Sequence, residues 1–463
     1  MIRYPGFDEI ISRVYDHRQD HVFEYWNELD DADKKLLLDD LSDVDFELIG
    51  RLFSSREGAI DMSFEPAPWV PVPKTVEEKK MYDDARAAGE EHIRRGRAAA
   101  FVVAGGQGSR LGYDGPKGKF PVGPVSNSTL FQIHCGKILK YSRKYHVVIP
   151  YLIMTSRANH EETESYFKDN GYFGLSPDDV FIFPQNMIPS LDARGKLILE
   201  TKRSVFKNPD GHGGSLTALH TSGALDALKK RDIETISYFQ VDNPLVKIID
   251  PVFIGFHVMR GADISSKAVK KAGPDEKVGV FVRYRDSSIG VVEYSDMPAE
   301  KTRARNADGE LQYNAGNIAI HLFRREFIER VTAGVEIALP FHTAKKKIRG
   351  LAGGAVKEVD GYKFEKFVFD ALPLTEKNIV FETPREDEFA PVKNASGVDS
   401  VESARRLMSE LCRRWLAERG IAVPKKVSVI EISPELAVEP GDIGTGLTVP
   451  DAEKVYLDER GEA

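Results

Sequence analysis

AAAFVVAGGQGSRLG, residues 98–112, passes directly from an apolar run into closely spaced glycines. A short uninterrupted apolar run ending in glycine reads as a parallel strand buried on both faces and feeding a loop. The same texture recurs outward from it, in HVVIPYLIMTS (146–156), DVFIFPQ (179–185), ETISYFQVDNP (234–244) and VGVFVRY (278–284). Between these runs, residues 128–145, 159–171 and 214–231 carry apolar side chains at helical spacing. Strands alternating with helices predict an α/β fold, with a mainly parallel sheet covered on both faces. In such sheets ligands bind outside the carboxyl ends of the strands, which is where the glycine loop falls.

The flanks differ. Residues 1–95 read as a polar, helical N-terminal extension, with helical spacing in VFEYWNEL (22–29), DKKLLLDDLSDVDFELIGRLF (33–53) and VEEKKMYDDARAAGEEHIRRGR (76–97). The prolines of FEPAPWVPVPKT (64–75) break that pattern and predict an extended strap on another surface. Residues 96–394 form the central α/β domain. Residues 395–463 open with a helix, SVESARRLMSELCRRWLAERG (400–420), and lead into a small C-terminal β-rich domain.

Composition limits the partners. The chain has 463 residues, 41% hydrophobic and 29% charged, as expected of a globular protein and not of a disordered one. Its 64 Lys and Arg against 72 Asp and Glu give a net charge of −8, so no global attraction to nucleic acid or anionic membrane is expected. No apolar run approaches the ~18 residues of a membrane span. The two cysteines, Cys135 and Cys412, lack zinc-site spacing and suit a reducing compartment. The start, MIRYPGFDEI, has neither an apolar nor an Arg-rich targeting pattern, so a cytoplasmic location is expected.

The loop Ala104-Gly105-Gly106-Gln107-Gly108-Ser109-Arg110-Leu111-Gly112 can bring backbone N–H groups close to a phosphate chain, and Arg110 and Lys117 add the positive charge that a triphosphate needs. It is not the dinucleotide fingerprint, because Leu111 stands where the third glycine belongs, and no P-loop pattern occurs. Taken alone, the stretch is also compatible with a tight turn that binds nothing.

Further motifs follow in order: Phe183-Pro184-Gln185-Asn186, Pro209-Asp210-Gly211-His212-Gly213-Gly214, Val241-Asp242-Asn243-Pro244, Val292-Glu293-Tyr294, Asn314-Ala315-Gly316-Asn317, Glu365-Lys366-Phe367-Val368-Phe369-Asp370 and Arg385-Glu386-Asp387-Glu388-Phe389-Ala390-Pro391-Val392-Lys393-Asn394. With the glycine loop and Pro116-Lys117-Gly118, this series resembles the eukaryotic-type UDP-N-acetylhexosamine pyrophosphorylases and their relatives, the UDP-sugar and UDP-glucose pyrophosphorylases. The resemblance runs from about residue 60 to the C-terminus. It implies a three-layer, Rossmann-like nucleotidyltransferase core. It also implies a reaction of UTP with a sugar 1-phosphate that gives a UDP-sugar and pyrophosphate, with Mg²⁺ as cofactor.

Roles come with the resemblance. Val103, Ala104, Gly105 and Gly106 are expected to bring loop backbone against the nucleotide. Gln185 is expected to read the uracil edge, since an amide offers both donor and acceptor to an imide, and Gly211 to let its backbone approach the base. Arg110, Lys117 and Lys363 are the expected catalytic cations, and Asp242 the expected Mg²⁺ ligand. His212, Gly279, Glu293, Tyr294, Asn317 and Lys393 are expected at the sugar phosphate. For Arg110 a structural ion pair is the competing reading. For Asp242 it is a strand-end cap, and for Phe367 and Phe369 ordinary core packing rather than the wall of an acetyl pocket.

His212 departs from the pattern. The N-acetylhexosamine enzymes usually carry asparagine there, in Gly-Asn-Gly-Gly, and the glucose and general UDP-sugar enzymes carry Gly-His-Gly. The remaining motifs side with the N-acetylhexosamine group, which puts N-acetylglucosamine 1-phosphate ahead of glucose or galactose 1-phosphate. A nucleotide-sugar-binding protein without catalysis is the reading from a different class. The retention of Lys117, Asp242 and Lys363 speaks against it.

Overall fold

The computed structural model describes residues 1–55, 63–334 and 339–459. The chain separates into two compact units, each drawn from several stretches of sequence. One gathers residues 1–62, 185–217 and 339–370, and the other residues 63–184, 218–338 and 371–463. The units thus cut across the linear division at residues 95 and 394, because non-local pairings and not chain order define them.

The larger unit is built on a ten-stranded sheet. Val180–Pro184, Tyr151–Thr155, Ala98–Val103 and Thr235–Gln240 lie side by side and parallel. Ala315–Arg324 then runs antiparallel to Thr235–Gln240, and Ile264–Lys270 returns to the original direction beside it, followed in parallel by Asn378–Glu382. These seven strands are therefore parallel except for Ala315–Arg324, in a mixed α/β unit. Ala98–Val103 and Tyr151–Thr155 are buried throughout, as their apolar runs require. The helices at 130–145 and 160–169 fall where helical spacing predicts them, the first capped by the reciprocal Thr129–Gln132 pair. The third predicted helix is two, Gly214–Thr221 and Ala224–Lys230, separated at Gly223, whose φ of 76° no helix tolerates.

Two expectations need correcting. Val280–Tyr284 is not one of the parallel strands. It turns back within a few residues to pair antiparallel with Ile289–Val292, since so short a connection cannot make a crossover. VFEYWNEL forms 3-10 turns, Asp20–Phe23 and Trp26–Glu28, and not an α-helix. The proline-rich stretch does run extended: Phe64–Pro66 pairs with Val280–Tyr284, and Val70 bridges Phe381. At the C-terminal end, the helix Val401–Glu418 is followed by a two-stranded parallel pair, Val429–Ile432 with Lys454–Leu457.

In the smaller unit the helices Asp31–Ser42 and Phe46–Ser54, capped by Asp30 and Asp45, share an apolar core with Ile188, Leu191, Leu199 and Phe364. Its five-stranded sheet centres on the long hairpin His342–Ala352 and Ala355–Glu365. A separate ribbon pairs Met187–Pro189 with Lys207–Pro209.

Candidate functional site

In the larger unit the parallel register Gln240↔Val103 releases two loops side by side at the carboxyl ends of adjacent strands. The glycine loop leaves one strand. From the other, the Val241 N–H still donates to the Val103 carbonyl at 3.1 Å before Asp242 turns out. The loop is folded on itself: the N–H of Gly108 donates to Gly115 at 2.9 Å and that of Lys117 to Gly106 at 3.0 Å. That return brings Lys117 Nζ to 3.3 Å from Asp242 Oδ2, with the two side chains 13% and 17% exposed. A lysine and a carboxylate so shielded attract more strongly than a surface pair, yet both remain reachable from solvent.

The Asp242 carbonyl accepts the Val392 N–H at 2.8 Å, which sets the segment bearing Lys393 alongside. Lys393 Nζ lies 3.8 Å from Asp399 and over the Phe389 ring. Val103 to Gly106, Lys117, Asp242 and Lys393 are thus brought to one end of the sheet. Arg110 sits exposed on the turn Ser109–Leu111 and makes no ion pair among the described residues.

Asn159 was not singled out from the sequence. It is buried, and its Nδ2 donates to the Ala104 carbonyl at 3.0 Å, fixing the start of the glycine loop. Its one local signal is its place just before the helix His160–Asp169.

The expected sugar residues of this unit form a second group. Val280 pairs with Val292 on one side and Gly316 on the other, so Gly279, Glu293 and Asn317 become neighbours. A Cβ on Gly279 would stand 2.9 Å from Glu293 Oε1, and the Asn317 N–H donates to the Gly279 carbonyl at 2.8 Å. Tyr294, next in the chain, is 49% exposed.

In the smaller unit the ribbon register Met187↔Pro209, extended by the Asp210 N–H donating to Asn186 at 3.1 Å, sets Gln185 opposite Gly211. Gly211 has φ +85°, and a Cβ there would lie 2.4 Å from the Lys366 carbonyl, so glycine is required on both counts. Lys366 grips the turn with its own backbone: its N–H donates to Asp210 at 2.7 Å and its carbonyl accepts from Gly213 at 2.8 Å.

The His212 ring stacks on Phe367 with centroids 5.3 Å apart, and Phe369 lies 5.8 Å away. Its Nδ1 accepts the Val368 N–H at 3.2 Å. A backbone amide can only donate, so the ring proton is on Nε2. Burial, helped by nearby His342, pushes its pKa down to about 4, and the ring is neutral at pH 7. Lys363, on the strand leading into this segment, lies over the Phe206 ring.

Asp210 is buried with Oδ1 lacking a hydrogen-bond partner among the described residues, and burial lifts its pKa to about 7 against the partial pull of Lys366. A raised carboxyl pKa means the folded state holds the proton more tightly than the unfolded chain. Its stabilising contribution is complete below the unfolded value near 4 and is lost as pH rises through about 7. Asp210→Asn, which is uncharged at every pH, is therefore expected to be more stable than the parent at pH 8, and that advantage is expected to shrink by on the order of 3 kcal/mol at pH 5. Urea unfolding at the two pH values checks this, and an equal difference at both would rule it out.

Among the described residues no three His, Cys, Asp or Glu side chains are grouped as a metal cage. The single hard carboxylate of Asp242 fits a divalent cation held mainly by phosphate oxygens and water, and does not fit a protein-caged ion. No described helix is long and apolar enough to cross a membrane, and Cys135 and Cys412 are both buried free thiols.

Known proteins resemble this arrangement along most of its length. The family model described as UTP–glucose-1-phosphate uridylyltransferase matches residues 51–431. UDP-N-acetylglucosamine diphosphorylase 2 of Arabidopsis thaliana is 38% identical over 449 residues, covering 92% of this chain and 88% of that protein. UDP-N-acetylglucosamine pyrophosphorylase of Saccharomyces cerevisiae is 32% identical over 445 residues, covering 90% and 93%. The crystal structure of the uridine diphosphate N-acetylglucosamine pyrophosphorylase from Trypanosoma brucei in complex with inhibitor aligns with a TM-score of 0.84 at 28% identity, covering 96% of this chain and 95% of that one. With a glycine loop, a lysine and an aspartate at adjacent strand ends, and a family match spanning most of its residues, the chain belongs to the UTP–glucose-1-phosphate uridylyltransferase family.

Proposed function

We propose that this protein is a uridylyltransferase that joins UTP to N-acetylglucosamine 1-phosphate and releases UDP-N-acetylglucosamine and pyrophosphate. The observation that carries the reading is the Lys117–Asp242 pair at the mouth of the glycine loop, in a chain with several relatives at 32–38% identity that are named for UDP-N-acetylglucosamine. An oxygen of the sugar 1-phosphate attacks the α-phosphorus of UTP, and the bond from that phosphorus to the oxygen bridging to the β-phosphate breaks. The attacking oxygen is already ionised at pH 7, so no general base is needed. The barrier is then one of holding two polyanions together, which positioned cations lower.

In this reading the core is a Rossmann-like nucleotidyltransferase. Val103 to Gly106 lay backbone against the nucleotide, and Gln185 and Gly211 meet uracil. Lys117, Arg110, Lys363 and Lys393 neutralise phosphate charge. Gly279, Glu293, Tyr294, Asn317 and His212 contact the sugar. Asp242 supplies the carboxylate for Mg²⁺, which when bound neutralises charge on the phosphate oxygens. Two buried free thiols suit an enzyme of the cytoplasm.

Pyrophosphate release from UTP with a panel of sugar 1-phosphates tests the reading. N-acetylglucosamine 1-phosphate is expected to give the highest kcat/KM. A preference for glucose or galactose 1-phosphate would reassign the substrate, and no release with any of them would leave a binding protein. His212 offers only an Nε2–H donor toward a substituent at the second carbon, whereas asparagine would offer donor and acceptor. His212→Asn is expected to change the kcat/KM ratio of acetamido to plain sugar by roughly tenfold, and an unchanged ratio would put selectivity elsewhere.

A further inference from the structure

Beneath Asp242 lies a polar cluster to which none of the roles above assigns a task. Lys267, on the strand Ile264–Lys270, is fully buried. Its ammonium donates to Asp250 Oδ2 at 2.7 Å and to both oxygens of Glu388, at 2.5 and 2.7 Å. Glu388 is also fully buried, and it further accepts the Thr383 hydroxyl at 2.9 Å and the Lys247 N–H at 3.1 Å. Withdrawing such charges from water costs several kcal/mol per ion, and an apolar cluster of equal volume would hold the fold as well.

The link to the site is Asn243. Its Nδ2 donates to the Glu388 carbonyl at 2.7 Å, and its Oδ1 accepts the N–H groups of Ala390 at 3.1 Å and Leu245 at 3.2 Å. The neighbouring Asp242 carbonyl accepts the Val392 N–H at 2.8 Å. On the far side, the ammonium of Lys137 is shared between the carbonyls of Pro244 and Val246, at 2.6 and 2.8 Å. Residues 242–247 and 388–392 are thus laced together directly behind the carboxylate, and Lys393 follows one residue after the last lace.

We propose that Asn243, Glu388 and Lys267 are positioning residues for uridylyl transfer, which hold the carboxylate of Asp242 and the ammonium of Lys393 at one fixed separation. The inference rests on the roles given to Asp242 and Lys393 above. A misplacement of ~1 Å at reacting groups costs about a hundredfold in rate, whereas binding of the uridine and sugar, which the lacing does not touch, is expected to survive.

Asn243→Ser and Glu388→Gln test this in the full chain. In each, kcat is expected to fall between about tenfold and a hundredfold, with KM for UTP and for N-acetylglucosamine 1-phosphate changed by less than about threefold. The Kd for UDP-N-acetylglucosamine, measured by calorimetry in metal-free buffer, is expected to stay equally close to the parent value. A folded variant with parental kcat overturns the proposal. So does a loss of kcat that merely follows the fraction of molecules able to bind UDP-N-acetylglucosamine, since that is what a purely structural role gives. Should neither variant fold, Thr383→Val removes a single hydrogen bond to Glu388 and decides the matter by the same kcat-against-Kd comparison. Asp242→Asn and Lys393→Ala are assayed alongside. If those two keep parental rates, it is the reading of the site that fails. If they lose activity while the lacing variants do not, it is the positioning that fails.

Discussion

Lys117→Ala is expected to lower the rate of pyrophosphate release from UTP and sugar 1-phosphate by about a thousandfold, while the protein stays folded. Lys117 Nζ stands 3.3 Å from Asp242 Oδ2, and in the proposed reading this is where phosphate charge must be met. No reorganisation is then needed when that charge arrives, which is the condition under which a fixed cation lowers a barrier most. The cost to the fold is expected to be small. Asp242 loses a partner but is 17% exposed and can be hydrated, and partly exposed ion pairs contribute about 1 kcal/mol or less. Initial rates and a thermal melt on the same sample check both halves. A variant within threefold of the parent rate would remove Lys117 from the chemistry.

Asp242→Asn is expected to have an effect of similar size, about a hundredfold to a thousandfold on turnover, for the complementary reason. The amide keeps the shape and leaves the backbone bonds to Val392 intact, but it lacks the negative charge that fits a divalent cation. Raising the Mg²⁺ concentration is not expected to restore the rate. Since Lys117 and Asp242 face each other, their effects are expected to be strongly non-additive: Lys117→Ala/Asp242→Asn should lose less than about tenfold beyond the worse single variant. Losses that multiply independently would mean that the two groups act on separate steps.

These two residues also mark how far the sequence could be read. Lys117 was legible locally as a positive charge beside a glycine loop, but its role and that of Asp242 came with the family resemblance, since an aspartate at a strand end taken alone reads as a turn cap. Gly211 likewise came with the resemblance, and its φ of +85° is a physical reason for glycine that the structure supplies. Asn159, Glu388 and Lys267 were not identifiable as contributors, because their partners lie far off in sequence: Asn159 binds Ala104 across 55 residues, and Lys267 meets Glu388 across 121. Nothing in the run ISSKAVK distinguishes a lysine that points to a buried carboxylate from one that edges into water.

Val280–Tyr284 failed for a related reason. Its composition matches the parallel strands, but the direction of a strand is set by the length of its connection and by the neighbour it meets. Likewise, nothing local in Ala315–Arg324 announces that it runs against the parallel strands on either side.

By itself the sequence determined the strand and helix texture of the sheet-bearing region, the glycine loop and the charged residues placed at strand ends, because hydrophobic period and glycine geometry are properties of a few consecutive residues. Tertiary structure alone decided that Lys117 meets Asp242 across 125 residues, that the chain divides into two units of interleaved segments, and that Asn243 ties the loop after Asp242 to Glu388 and Ala390. Those outcomes depend on sheet register and on which buried charges find partners, and both are settled only when distant segments exclude water from one another.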